Sequence, residues 1–281
     1  MLNPWRKDGT LKAGRRNRGD SRQQPEEALV QILVNEDFLS SILCTPIDLT
    51  EMAVGWLYNQ GFIESIDEVA SVDTCERKRK IYIDLTTERY REREEQGRIR
   101  TSACTGGEIS YFQFTRRKNR LREGPRVTLG RVQSLVKETL AQAREYERTG
   151  GIHCASLVSV GLNRIVAQYE DVGRHNAIDK VVGRMLLKEQ DPEDKMLLTS
   201  GRISSEMALK AVHSGITVIA SITTCTDLAL EIAEEAGLTV ITRALKAPRV
   251  LSGAQRIRKH LEDRDQAFFE PCRTELRFPP E

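Results

Sequence analysis

The sequence predicts an α/β protein: a C-terminal domain in the order αββαβαβ, preceded by a smaller α+β domain. Three observations carry that class. From residue 131 onward, strand-length apolar runs alternate with helix-length periodic segments, αββαβαβαβ in full. Such alternation implies a largely parallel sheet with right-handed crossover connections. Before residue 100 the signals are shorter, with three candidate strands around one helix. Between them the charge-dense segment Glu88–Arg100 reads as a solvated helix or linker, where one domain hands over to the next.

Taken in order, residues 1–26 are a leader rich in Arg, Lys, Gly and Gln without periodicity, the composition of a flexible segment. Residues 27–100 make the small domain. Ala28–Val34 is a strand, Thr45-Pro46 a turn, and Asp48 with Glu51 a capping-box-like start to a helix carrying Met52, Trp56 and Leu57 and ended by Gly61. Val69–Val72 and Ile81–Leu85 are two further strands. Residues 101–130 are a cysteine-bearing loop and linker, 131–252 the large domain, and 253–281 a tail to which the sequence assigns no role.

In the large domain Val132, Val136 and Leu140 recur every four residues in a helix over Arg131–Arg148, ended by Gly150-Gly151. Ile152–Val160 and Asn163–Tyr169 are strands around a turn at Gly161-Leu162, and a helix over Arg174–Glu189 buries Ile178, Val181, Met185 and Leu186. Met196–Thr199 is a strand whose helix runs to Gly215. Ile216–Ser221, a helix over Thr226–Ala236 stopped by Gly237, and a strand at Leu238–Thr242 complete the order.

Composition narrows the function. The 43 basic and 41 acidic residues leave a net charge of +2, against a general nucleic-acid binder. No apolar run approaches the roughly 20 residues needed to span a bilayer, and the start Met1-Leu2-Asn3-Pro4-Trp5-Arg6-Lys7 has no apolar signal-peptide core. A cytoplasmic protein is expected. Its six cysteines, Cys44, Cys75, Cys104, Cys154, Cys225 and Cys272, form no CxxC pair, which suits small buried hydrophobes in a reducing compartment.

The polar loops at 170–176, 199–206 and 221–226 follow strands, where ligands gather in such sheets. In the run Glu170–Lys180, Gly173 and Arg174 open a helix whose unpaired N–H groups suit an anion. Alternatively, Asp171 caps that helix and Asp179 and Lys180 are its solvated face. Ser200, Gly201, Arg202, Ser204 and Ser205 resemble a phosphate-cradling turn without P-loop spacing, although capping alone also explains the serines. Ser221–Asp227 is a second hydroxyl-rich helix entry, so a nucleotide-like ligand fits better than a small neutral one. His153 and His175 are either satisfied structural imidazoles or groups that bind or move a proton. Cys104, followed by Thr105-Gly106-Gly107 and preceded by Arg98 and Arg100, is either a reactive thiolate on a loop or a buried structural cysteine. The αββαβ order is similar to the cytidine deaminase architecture, but the H-x-E and P-C-x-x-C signature is missing, so no catalytic zinc is expected.

The motifs Thr149-Gly150-Gly151-x-His153, Glu170–Ala177-x-Asp179-Lys180 and Thr199–Arg202-x-Ser204-Ser205-Glu206-Met207, with Thr45-Pro46 and Gly55, together resemble the FdhD family over residues 27–242. These are sulfur carriers needed to make active formate dehydrogenase. The resemblance implies a cytidine deaminase-like large domain, a homodimer, and acceptance of sulfur from a cysteine desulfurase as a cysteine persulfide. That sulfur passes to the molybdenum cofactor, bis(molybdopterin guanine dinucleotide). Cys104 falls at the first position of the family's common CxxC pair, while Gly107 stands at the second. The family's cofactor stretch falls on Thr242, Arg243, Ala244, Leu245, Lys246 and Ala247, which keep charge but lack the usual aromatic-x-Arg-Gly pattern. His153, Arg174, His175, Ser200, Gly201 and Arg202 are the other expected cofactor contacts.

Two other classes compete. A non-catalytic chaperone of the cofactor or the dehydrogenase would need no thiol, and Gly107 is its support. A nucleotide-processing enzyme would use His153 or His175 as acid–base, but no paired base, nucleophile and metal set stands out.

Overall fold

Strand β1, Ala28–Val34, alternates buried Ala28, Val30, Ile32 and Val34 with more open residues, so one face lies on a core. The computed structural model in which it stands describes residues 24–75, 77, 79–91, 98–100, 108–110 and 120–258. A two-residue turn, Asn35-Glu36, follows β1 with both residues at positive φ, 48° and 71°. That is the twist a tight hairpin needs, and it returns the chain as β2, Asp37–Cys44. The sequence reading did not contain β2, whose apolar residues do not alternate. Helix α1, Leu49–Asn59, follows, but Asp48 makes no side-chain cap and itself sits at φ 53°, so the expected capping box is not formed.

Strands β3, Val69–Cys75, and β4, Lys80–Leu85, complete a sheet in the order β2-β1-β4-β3, with β1 and β4 parallel. One face packs on α1 through Val30, Ile32, Met52, Leu57, Ile81 and Ile83. In the handover segment, β5, Arg98–Arg100, pairs antiparallel with β6, Glu108–Ser110. Thus Arg98–Arg100, expected in a helix or linker, is a strand. Cys104 and its neighbours 101–107 lie outside the described residues.

The second sheet has six strands: β7 His153–Ser159, β8 Arg164–Asp171, β9 Lys195–Thr199, β10 Val218–Ser221, β11 Thr239–Thr242 and β12 Arg249–Ser252. Their order is β12-β11-β10-β9-β7-β8. Only β9, β10 and β11 are mutually parallel, since crossover helices join them. Short connections make the β7–β8 and β11–β12 pairs antiparallel, and β7 also runs antiparallel to β9. The sheet is therefore mixed rather than largely parallel.

The helix expected over Arg131–Arg148 is two: α2, Leu129–Gln142, and α3, Arg144–Thr149. The break has a cause in β8, where the Glu170 carboxylate accepts from the N–H groups of Glu145 (3.1 Å) and Tyr146 (2.6 Å) and so caps α3. Helices α4, Arg174–Leu187, α5, Ser205–His213, and α6, Asp227–Ala236, cover one face of the sheet around Ile178, Leu197, Met207, Ile219 and Ile232. Helix α2 packs on the other through Val132, Leu135 and Val136 against Met196 and Val218.

The large domain also runs past the expected boundary at 252. Arg256 donates to the carbonyls of Gly237 (2.7 Å) and Arg122 (3.0 Å), and Ile257 bridges Val127. No helix among the described residues is long and apolar enough to cross a membrane.

Helices α1 and α4 join the two domains. A Cβ on Gly55 would lie 1.9 Å from the Asp179 carbonyl oxygen, and one on Gly183 would lie 1.8 Å from that of Glu51. Only glycine permits this approach at either point.

Candidate functional site

The C-terminal ends of β9, β10 and β11 and the starts of β7 and α4 meet at one edge of the large sheet. Contacts run from loop to loop across it. The Ser200 hydroxyl lies 3.3 Å from His153 Nδ1 and accepts from Cys154 N–H at 3.0 Å. Gly201 is covered by Arg174, whose Cβ would stand 2.8 Å from a Cβ at that glycine. The Gly201 carbonyl accepts from Ser221 Oγ at 2.6 Å. The Ser221 and Thr223 carbonyls in turn accept from Ala244 N–H (2.9 Å) and Arg243 N–H (2.8 Å).

The structure thereby places His153, Arg174, Ser200, Gly201 and the stretch Thr242–Ala247 on one continuous edge. Within that stretch Thr242 and Ala244 are buried, while Arg243, Lys246 and Ala247 are exposed and Leu245 is half-buried. Arg202 is exposed beside Gly201.

Arg174 is the unusual member. Its Nε and Nη2 atoms are buried without a hydrogen-bond partner among the described residues. Buried guanidinium N–H groups left without acceptors cost free energy that an anion recovers. Both histidines near it are held neutral. Burial, then the Arg174 charge, lowers His153, and burial with Lys210, Arg174 and His153 holds His175 well below the ordinary imidazole range. An anion here would meet the Arg174 cation beside two imidazoles that carry no charge of their own. No cluster of three or more metal-ligating side chains occurs among the described residues.

His175 Nε2 lies 3.2 Å from Ser204 Oγ, and its Nδ1 lies 3.4 Å from Glu206 Oε2. Ser204 is the N-cap of α5 yet makes no capping bond, because its hydroxyl is turned to the imidazole. The reading of that serine as a simple cap is thus corrected.

The run Glu170–Lys180 does structural work that sequence reasoning missed. Asp179 and Lys180 are buried, 1% and 0% exposed, not a solvated face. Lys180 Nζ pairs with Asp171 Oδ2 at 2.8 Å and donates to the carbonyls of Thr45 and Glu170, both at 3.2 Å. Asp171 does not cap α4. Its carboxylate accepts from the N–H groups of Thr45 (3.1 Å) and Gly173 (2.8 Å) and from Asn176 Nδ2 (2.9 Å). Asp179 accepts from Asn59 Nδ2 at 2.7 Å and pairs with Lys210 at 2.7 Å. Lys210 and Asn59 carried no sequence signal beyond the helical spacing of Glu206 and Lys210.

Comparison with known proteins agrees with this architecture. Residues 25–258 match the model of the FdhD/NarQ family. The sulfur carrier protein FdhD of Bacillus licheniformis is 31% identical over 221 residues, 78% of this chain and 83% of the relative. Its namesake from Sulfolobus acidocaldarius is 32% identical over 232 residues, 82% of this chain and 88% of the relative. A crystal structure from Desulfotalea psychrophila, described as that of a formate dehydrogenase accessory protein, superposes with a TM-score of 0.69 at 25% identity. It covers 83% of this chain and 90% of its own. A family match across both domains, with relatives above 30% identity over more than three quarters of the chain, places this protein in the FdhD/NarQ family.

Proposed function

We propose that the protein is a sulfur carrier for formate dehydrogenase, taking sulfur from a cysteine desulfurase on Cys104 and handing it to bis(molybdopterin guanine dinucleotide). The names of its relatives support the carrier role. The buried Nε and Nη2 of Arg174, without a hydrogen-bond partner among the described residues, within an edge of small and hydroxyl-bearing residues, are the observation that carries the cofactor half. The cofactor is cargo here. Its phosphates are the anions that Arg174 and the loops at Ser200–Arg202 and Thr242–Ala247 would hold, with His153 and His175 as neutral neighbours.

The loading step is an exchange without net oxidation. The Cys104 thiolate attacks the outer sulfur of the desulfurase persulfide, the S–S bond breaks, and its electron pair leaves on the desulfurase thiolate. Cys104 then carries the persulfide. A single thiol suffices, so Gly107 at the second position of the pair does not block loading. Cytoplasmic location and a homodimer belong to the same proposal.

Incubation with a cysteine desulfurase and cysteine, followed by peptide mass spectrometry, tests it. A reducible extra sulfur is expected on Cys104 and on no other cysteine, and Cys104→Ala is expected to abolish dehydrogenase maturation while folding normally. Full maturation by that variant overturns the carrier role. It would leave the second reading, a chaperone needing no thiol, which Gly107 favours and which predicts dependence on Arg174 or Arg202 alone.

A further inference from the structure

The buried charges beneath the candidate edge form a chain that starts in the other domain. Asn59, at the end of α1, donates to Asp179 Oδ1 at 2.7 Å. Lys210 Nζ donates to both Asp179 oxygens, 2.8 and 2.7 Å, and to the His175 carbonyl at 3.3 Å, and lies 3.8 Å from Glu206 Oε1. Glu206 Oε2 stands 3.4 Å from His175 Nδ1, and His175 Nε2 3.2 Å from the Ser204 hydroxyl. Asn59, Asp179, Lys210, Glu206, His175 and Ser204 are all less than a tenth exposed.

Burying an ammonium and two carboxylates is expensive, and an apolar substitute of similar volume is often as stable. Stability alone therefore gives little reason for the arrangement. Its geometry gives another. An ionised Glu206 only accepts, so its Oε2, 3.4 Å from Nδ1 of His175, favours the tautomer with the ring proton on Nδ1. Nε2 is then bare and accepts from Ser204, whose oxygen keeps its lone pairs for a donor outside.

We propose that Asn59 and Lys210 are positioning residues of the candidate site, holding His175 through Asp179 and Glu206 in one orientation and one tautomer so that Ser204 is presented as an acceptor to an N–H or O–H group of a nucleotide ligand whose phosphate Arg174 holds. The inference rests on the cofactor reading above and extends it to a residue of the small domain. The charged and titratable groups facing His175 are Glu206 and Lys210 from α5, Arg174 from α4 and His153 from β7. Burial first, and then the three basic groups, lower its proton affinity, which keeps the ring neutral.

Ring-nitrogen NMR of His175 in the whole protein tests the proposal without any ligand, with guanosine diphosphate affinity as a second readout. The wild type is expected to show a neutral ring with its proton on Nδ1 throughout pH 8 to 6. Lys210→Met and Asn59→Leu are expected to lose that single-tautomer pattern and to bind the nucleotide about tenfold more weakly, while Lys210→Arg restores the pattern in part. Ile32→Val, which loosens the small-domain core without touching the chain, is expected to leave both unchanged. The proposal is overturned if His175 keeps its tautomer in Lys210→Met and Asn59→Leu, or if Ile32→Val shifts it equally. Should Lys210→Met fail to fold, Asn59→Leu decides alone. Absence of nucleotide binding by the wild type counts against the cofactor reading, and the ring-nitrogen arm still decides this one.

Discussion

Lys180 shows how completely specific partners can satisfy a charge that gives up water inside this protein. Its ammonium has three protons, and a carboxylate oxygen and two carbonyls lie within bonding distance. Removing the cation while leaving Asp171 buried should cost about 3–5 kcal/mol; the urea midpoint of Lys180→Met measures it. His175 makes a pH prediction. Its affinity for protons is far lower folded than unfolded, where the ordinary value is about 6.5. The unfolded chain therefore binds more protons as pH falls through that value, and stability drops with acidification below it. The urea midpoint should fall from pH 7.5 to 5.5 more steeply in the wild type than in His175→Gln, and equal slopes would refute the assignment. At this scale the sequence was half legible. That the hydroxyls and arginines at strand ends would share one edge was readable, because their position follows from chain order. That Asp179 and Lys180 are buried was hidden, because their partners Asn59 and Thr45 lie 120 and 135 residues away.

Helices α1 and α4 meet at a crossing no wider than their backbones permit. Any Cβ at Gly55 or Gly183 meets main-chain atoms, which cannot rotate aside as a side chain would. Gly55→Ala and Gly183→Ala should each destabilise the protein by about 1–3 kcal/mol or more, the usual cost of overpacking, despite alanine's better helix propensity. Thermal unfolding of both variants checks this, and a gain in stability would show that the helices separate freely. The strongly periodic elements were readable in the sequence. Helices α4 to α6 and strands β9 to β11 stand within a few residues of expectation because apolar spacing alone defines them. Hairpin strands β2 and β12 were missed, since their pairing depends on turns and partners rather than on alternation. The break at Ala143 was equally invisible, being set by Glu170 from another element.

Seen whole, the two larger sheets among the described residues are locked by one pair of helices, with the candidate site on one domain and its proposed support reaching into the other. The two cores should therefore melt together. Fluorescence of Trp56 and far-ultraviolet circular dichroism are expected to give coincident urea transitions, and separated midpoints would show that the interface does not couple them. The lock between α1 and α4 also has a consequence in time. The partner that accepts from Asn59 is made 120 residues later along the chain. At synthesis rates of about 5–20 residues per second, that interval is on the order of ten seconds. Until α4 leaves the ribosome, the glycine face of α1 has nothing to close on, so the newborn small domain passes through a stage with Gly55 and the Asn59 amide uncovered.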